Sequence, residues 1–175
     1  MAVTSSSARG QPSGTIDLAH KFLGALQLGI LNEIKNKEEF ISILDGWTRQ
    51  LAALIPSRSF GAARKLINLF LFLCARDHGL RSSYGFGSLD SWLEIAVDGH
   101  VAKGLKAFAG CRLHGKGDKL PWSGITKLRS DMNVDFQRVA TELASELKIH
   151  RVEVDLVLWR RDKKHQAVCL LCDTA

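Results

Sequence analysis

No apolar run in this chain is long enough to cross a bilayer. The longest, Leu66 to Ala75, is broken by Asn68, and a spanning helix needs about 20 consecutive apolar residues. The N-terminus, MAVTSSSARGQPSG, lacks the apolar core of a secretory leader. Cysteines are few: Cys74, Cys111, Cys169 and Cys172. Without a leader they are expected to stay free thiols in a reduced, intracellular protein with no membrane partner. No internal repeat is visible. Gly85 and Gly87 lack the Gly-Lys-Ser/Thr that completes a phosphate loop. No βαβ pattern surrounds Cys169 and Cys172, which argues against a redox pair. Cys111 and His114, with Cys169 and Cys172, have zinc-ligand spacing. Leu170 and Leu171 fill a turn where zinc sites favour glycine or polar residues, so neither metal nor cofactor is expected.

What the chain does have is positive charge and helical periodicity. Its 175 residues are 46% hydrophobic, enough for a core, and its net charge is +6. Residues 1–100 are nearly balanced. The excess lies between Lys103 and Arg129, where Lys103, Lys106, Arg112, Lys116, Lys119, Lys127 and Arg129 face Asp118 alone. Such a run is either a solvated face or a seat for a polyanion such as nucleic acid or an anionic membrane.

Residues 1–14, rich in Ser, Gly and Pro, predict a disordered tail, and 15–175 one helical domain. Leu23, Leu26, Ile30 and Ile34 share one face of a helix over 16–35. Asn36 and Glu39 form a cap pattern for the next helix, which Pro56 ends. A third, apolar nearly all round, runs from about Ser59 to His78 with Gly79 as its stop. Residues 80–92 predict a loop and Leu93 to Val97 an extended segment. Asp98 looks like the N-cap of a helix through Val101, Leu105 and Phe108. Ser130 or Asp131 opens an amphipathic helix to Leu147. Arg151 to Trp159 alternates like a strand and also fits a helix face; its helical surroundings favour helix.

Lys65 sits at the start of the most apolar helix. Burial in apolar surroundings disfavours a lysine's charged form and so exposes its nucleophilic amine. The plainer role is a stem that packs while the ammonium reaches water. Asp98 has the same two sides: a carboxylate aimed by a helix N-terminus, or an ordinary cap. His100 stands close enough to orient it.

Three stretches carry a family resemblance: Ser59-Phe60-Gly61-Ala62-Ala63-Arg64-Lys65-Leu66, Leu93-Glu94-Ile95-Ala96-Val97-Asp98-Gly99-His100, and Arg151 to Trp159. Together they resemble the helix-hairpin-helix DNA glycosylases. The 33 residues from Lys65 to Asp98 are most similar to the archaeal 8-oxoguanine glycosylase branch. The resemblance covers roughly 55–110 and 148–160, and rests on the order and spacing of the motifs together. It implies an all-α, two-lobed helical bundle with a helix-hairpin-helix motif and an active cleft between the lobes.

It also implies a monomeric, cytoplasmic protein of a prokaryotic cell acting on double-stranded DNA with a lesion or modified base, flipped out of the duplex. By the resemblance, Lys65 attacks the sugar C1′, Asp98 stabilises the cationic sugar, and a Schiff base permits strand cleavage. Asp155 and Trp159 contact the flipped base, with Trp47, Gln27 and Phe72 as further pocket candidates. Gly61 and Arg64 at the hairpin hold a phosphate, and Lys103, Lys106, Lys116, Lys119 and Lys127 track the backbone. Phe72 stands where that branch has a second lysine reading the oxidised purine. This departure, with the short N-terminal portion, points to another lesion or to a bulky modified base such as those of phage DNA. The competing readings are a non-catalytic helical DNA-binding module and a helical protein-interaction domain.

Overall fold

Short polar side chains set where most of the long helices begin. The computed structural model describes residues 4, 6–112 and 120–159, which are mainly helical with no strand among them. The chain divides into two compact units, Met1–Leu93 and Glu94–Ala175.

In the first unit, residues 6–10 make hydrogen-bonded turns with Ala8 buried, in a stretch whose composition predicts disorder. The helix predicted over 16–35 is two elements: α1 (Thr15–Gly24) and a 3-10 helix (Leu28–Glu33). The apolar stripe misled because Ile30 is exposed and Leu31 is buried in its place. Helix α2 (Lys37–Leu54) opens on Asn36, whose Oδ1 accepts the Glu39 N–H at 2.9 Å. Glu39 reaches back one residue further than a capping box requires, to the Lys35 N–H at 2.9 Å. Pro56 follows its end, and Arg58 takes the left-handed conformation (φ 49°) that turns the chain back.

Helix α3 (Phe60–Arg76) then opens on Ser59, whose hydroxyl accepts the Ala62 N–H at 3.2 Å, and packs against α2. It ends before the predicted stop. Asp77 caps a new helix, α4 (His78–Ser83), by accepting the Leu80 N–H at 2.9 Å, so Gly79 lies inside a helix. The predicted loop 80–92 thus holds α4 and α5 (Phe86–Leu89). Gly85 joins them with φ 64°, and a Cβ there would lie 2.6 Å from Asn32 Oδ1. Arg81 donates to the Ala75 carbonyl at 3.1 Å and to Asp90 with both terminal nitrogens, tying the end of α3 to the segment after α5.

The second unit is built on α6 (Gly99–Arg112), α7 (Ser130–Leu147) and α8 (Val154–Trp159), with 3-10 turns at Ile125–Lys127 and Arg151–Glu153. Its core joins Val101, Leu105 and Phe108 of α6 to Phe136, Val139 and Leu143 of α7 and to Val154 and Leu158 of α8. Trp122 packs edge-on against Phe136 at 5.8 Å between centroids. The segment 151–159, open between strand and helix in the sequence, is helical. No helix among the described residues is long and apolar enough to cross a membrane.

Cys74, on α3, is 3% exposed. Burial pushes its thiol up from 9.0 to about 11, and the Asp77 carboxylate adds to the rise. A thiol that holds its proton more tightly folded than unfolded adds stability below the unfolded value and loses it as pH climbs through the folded one. The folded protein is therefore expected to lose stability between pH 9.0 and about 11 through this group, read as a falling urea midpoint that Cys74→Ala flattens. At pH 8 the peptide carrying Cys74 should resist iodoacetamide until urea unfolds the chain, followed by mass spectrometry.

Candidate functional site

Leu93 to Val97 are all buried, yet they belong to neither helix nor strand. A buried backbone must still find hydrogen-bond partners. For Ile95, at the centre of the segment, Gln137 of α7 supplies them. Its Oε1 accepts the Ile95 N–H at 3.1 Å, and its Nε2 donates to the Ile95 carbonyl at 2.9 Å. The side-chain amide does what a neighbouring strand would do. Gln137 Nε2 also donates to Asn133 Oδ1 at 3.3 Å, and Asn133 Nδ2 donates to Glu94 Oε2 at 3.2 Å. Glu94, Asn133 and Gln137 are all buried. None was singled out in the sequence. The signal was there: Asn133 and Gln137 lie four apart inside the apolar stripe of α7, among Met132, Phe136 and Ala140.

Three residues after Ile95 the chain reaches Asp98. Its Oδ1 accepts the N–H of His100 at 2.9 Å and of Val101 at 3.1 Å, so it caps α6 as predicted. The carboxylate is held by two backbone donors and is half-buried. The His100 ring lies 4.9 Å from that of Trp159, which is 47% exposed. Asp155 is half-buried one turn earlier on α8. Helix α8 approaches α6 closely because position 104 is glycine: a Cβ there would lie 2.6 Å from the Leu158 side chain. Asp98, His100 and Trp159 are thereby linked around the start of α6. Lys103 and Lys106 are exposed further along it, and Lys127 is exposed on its 3-10 turn. Arg129 is bound with both Nε and Nη2 to Asp131, at 3.1 and 2.6 Å, and holds that carboxyl below its usual range.

The first unit carries the other predicted residues. Lys65 is half-buried on α3, between Arg64 and Leu66, which are buried. Arg64, predicted to hold a phosphate, is 3% exposed. Its Nη1 donates to Asp45 Oδ1 at 2.6 Å and to Thr48 Oγ1 at 3.0 Å, and its guanidinium lies 5.8 Å from the Phe60 ring centroid. The group is thus committed inside the α2–α3 hairpin, to Asp45 and Thr48. Gly61 is buried beside it in the first turn of α3. Sequence reasoning missed Asp45 and Thr48, which mark the inner face of α2. Trp47 is half-buried on α2, and Gln27 is exposed ahead of the first 3-10 helix. Phe72 is half-buried with the Arg76 guanidinium 5.0 Å above its ring.

A shallow groove of about 300 Å³, lined by Ile30, Glu33, Ile34, Glu39, Ser42 and Ile43, holds none of the predicted site residues. Lys116, Lys119, His114, Cys169 and Cys172, with the Cys111 side chain, lie outside the described residues. Among the described residues no His, Cys, Asp or Glu group is arranged to hold a metal ion. No family model, curated protein or solved structure matches this chain.

The Gly104–Leu158 contact gives a sign test. Alanine favours a helix interior over glycine by about 1 kcal/mol, but an added methyl here meets Leu158. Gly104→Ala is expected to lose about 1–3 kcal/mol, the usual cost of overpacking, and to shift Trp159 emission as α8 is displaced from His100. Denaturant unfolding with fluorescence checks both. A stabilised variant with unchanged emission would refute the close packing.

Proposed function

We propose that this chain is a DNA glycosylase with lyase activity, removing a damaged or modified base from double-stranded DNA. Lys65 is the nucleophile and Asp98 the carboxylate that stabilises the cationic sugar. The observation that carries the reading is Asp98: a half-exposed carboxylate held by the His100 and Val101 amides, in the same unit as an exposed tryptophan ring. A fixed negative charge is what a sugar acquiring positive charge at C1′ needs, because it requires no reorganisation as the bond breaks.

The uncharged Lys65 amine attacks C1′ as the glycosidic bond breaks. The base leaves with the bonding pair and takes up a proton. The nitrogen gives up its own proton, and opening of the sugar ring yields a Schiff base. Loss of a C2′ proton then expels the 3′ phosphate by β-elimination. Trp159 offers a face on which a flipped base stacks, and Asp155 a hydrogen-bonding group. Lys103, Lys106 and Lys127 are the exposed cations for backbone phosphates. The helix-hairpin-helix role falls to α2 and α3, with Arg64 and Asp45 bracing the hairpin from inside.

The test is a strand-cleavage screen over duplexes carrying oxidised, alkylated, deaminated and bulky modified bases, with borohydride present in parallel. Cleavage and a covalent protein–DNA adduct are expected on at least one duplex, both lost in Lys65→Gln, with DNA binding retained. Binding without cleavage or trapping on any duplex would replace this reading with a non-catalytic DNA-binding module. Absence of binding at moderate salt would replace it with a protein-interaction domain. The Lys103→Ala/Lys106→Ala double variant should weaken binding to all duplexes alike and flatten the log–log salt dependence by about 2, near 0.9 per lost phosphate contact.

A further inference from the structure

We infer that Gln137 is a positioning residue: its two-point clamp on Ile95 fixes the buried segment that delivers Asp98 to the start of α6. The role in catalysis rests on the glycosylase reading; the clamp itself does not. Residues 93–97 are buried without a strand beside them, so their register has no ladder to define it. The Gln137 amide, matched to both the N–H and the carbonyl of Ile95, sets that register at one residue. Asn133 Oδ1 accepts from Gln137 Nε2 and so fixes which way the amide faces. From Ile95 to Asp98 the chain spans only about 10 Å at the rise of extended backbone. A slip of one residue would bring Val97 or Gly99 to the capping position, neither with a carboxylate to offer. Asp98 would move off the His100 and Val101 amides, and its charge would lose its fixed place.

Amide hydrogen exchange of the full chain, read residue by residue by NMR, tests this without any substrate. Gln137→Met keeps the side-chain length and removes both bonds. Exchange at Ile95, His100 and Val101 is expected to quicken about tenfold or more, the worth of roughly one lost buried hydrogen bond, while Val139 and Leu143 in the core of α7 stay slow. Thr141→Val, which removes a hydroxyl bonded to the Gln137 backbone carbonyl, should leave all three amides unchanged. Should Gln137→Met fail to fold, Asn133→Ala loosens the clamp at one remove and is expected to quicken the same three amides by a smaller factor.

Acceleration confined to Ile95, or spread equally over α7, overturns the inference, as does an unchanged pattern in Asn133→Ala. On a cleavable duplex, Gln137→Met should lower kcat about tenfold or more with KM little changed, the mark of a misplaced group in the transition state; a change in KM alone overturns the positioning role. If no duplex is cleaved by the parent protein but the exchange pattern holds, the clamp stands and the glycosylase reading falls.

Discussion

A stretch of backbone that runs through a protein interior without a neighbouring strand must have its amides and carbonyls satisfied by something else, and at Ile95 in this chain the something else is a glutamine. Leaving the Ile95 N–H unpaired would cost about 1–3 kcal/mol, the desolvation cost of one buried donor. Gln137 removes that cost and, because an amide side chain carries a donor and an acceptor side by side, it fixes direction as well as position. The core of the second unit then forms around the arrangement: Ile95 and Val97 on one side, Phe136, Val139 and Ala140 of α7 on the other. Asp98 emerges from that packed segment already facing the amides it caps.

The first unit uses the same device at a different place. Arg64 is buried on α3 and reaches two partners on α2, Asp45 and Thr48, four residues of helix in which the side chains three apart share a face. Both bonds leave Nη1, so one nitrogen of the buried guanidinium ties α3 to two successive turns of α2. Asp45 remains about one-third exposed, so the pair does not carry the full desolvation cost of a sealed ion pair. A basic residue next to Lys65 reads from sequence as part of a binding surface; it is the brace that fixes the turn in which Lys65 stands.

The starts of helices were legible and their continuations were not. Asn36, Ser59 and Asp98 each hold a short side-chain oxygen two or three residues ahead of an apolar face, and each caps the helix that follows. Cap chemistry is local, so the sequence displays it. The break at residues 25–27 is not local. Leu23, Leu26, Ile30 and Ile34 keep helical spacing across it, and only burial reveals that Leu31, off that stripe, faces the interior. Asp77 shows another limit of the stripe: it closes α3, its N–H donating to the Leu73 carbonyl, and caps α4 through Oδ1, so helix resumes at once inside a stretch whose composition predicts a loop. For the site, Asp98 was readable as a cap and Trp159 as helical. The His100–Trp159 contact depends on how closely Gly104 lets α8 approach α6, a tertiary fact that one glycine in a helix does not announce.

An N-cap aspartate is common, and the cap alone would not distinguish Asp98 from many others. A cap is worth about 1 kcal/mol to a helix and needs only non-helical backbone at the capping residue and a side-chain oxygen that reaches the first turn. The segment in front of Asp98 is instead buried throughout and joined to a network of three buried polar side chains, Glu94, Asn133 and Gln137. Such a network stabilises only if every member is satisfied, and it is intolerant of a shift that a hydrophobic core would absorb. The constraint on this segment exceeds what capping α6 requires. What that constraint fixes is the end of the segment, where Asp98, partly exposed, is held on the His100 and Val101 amides.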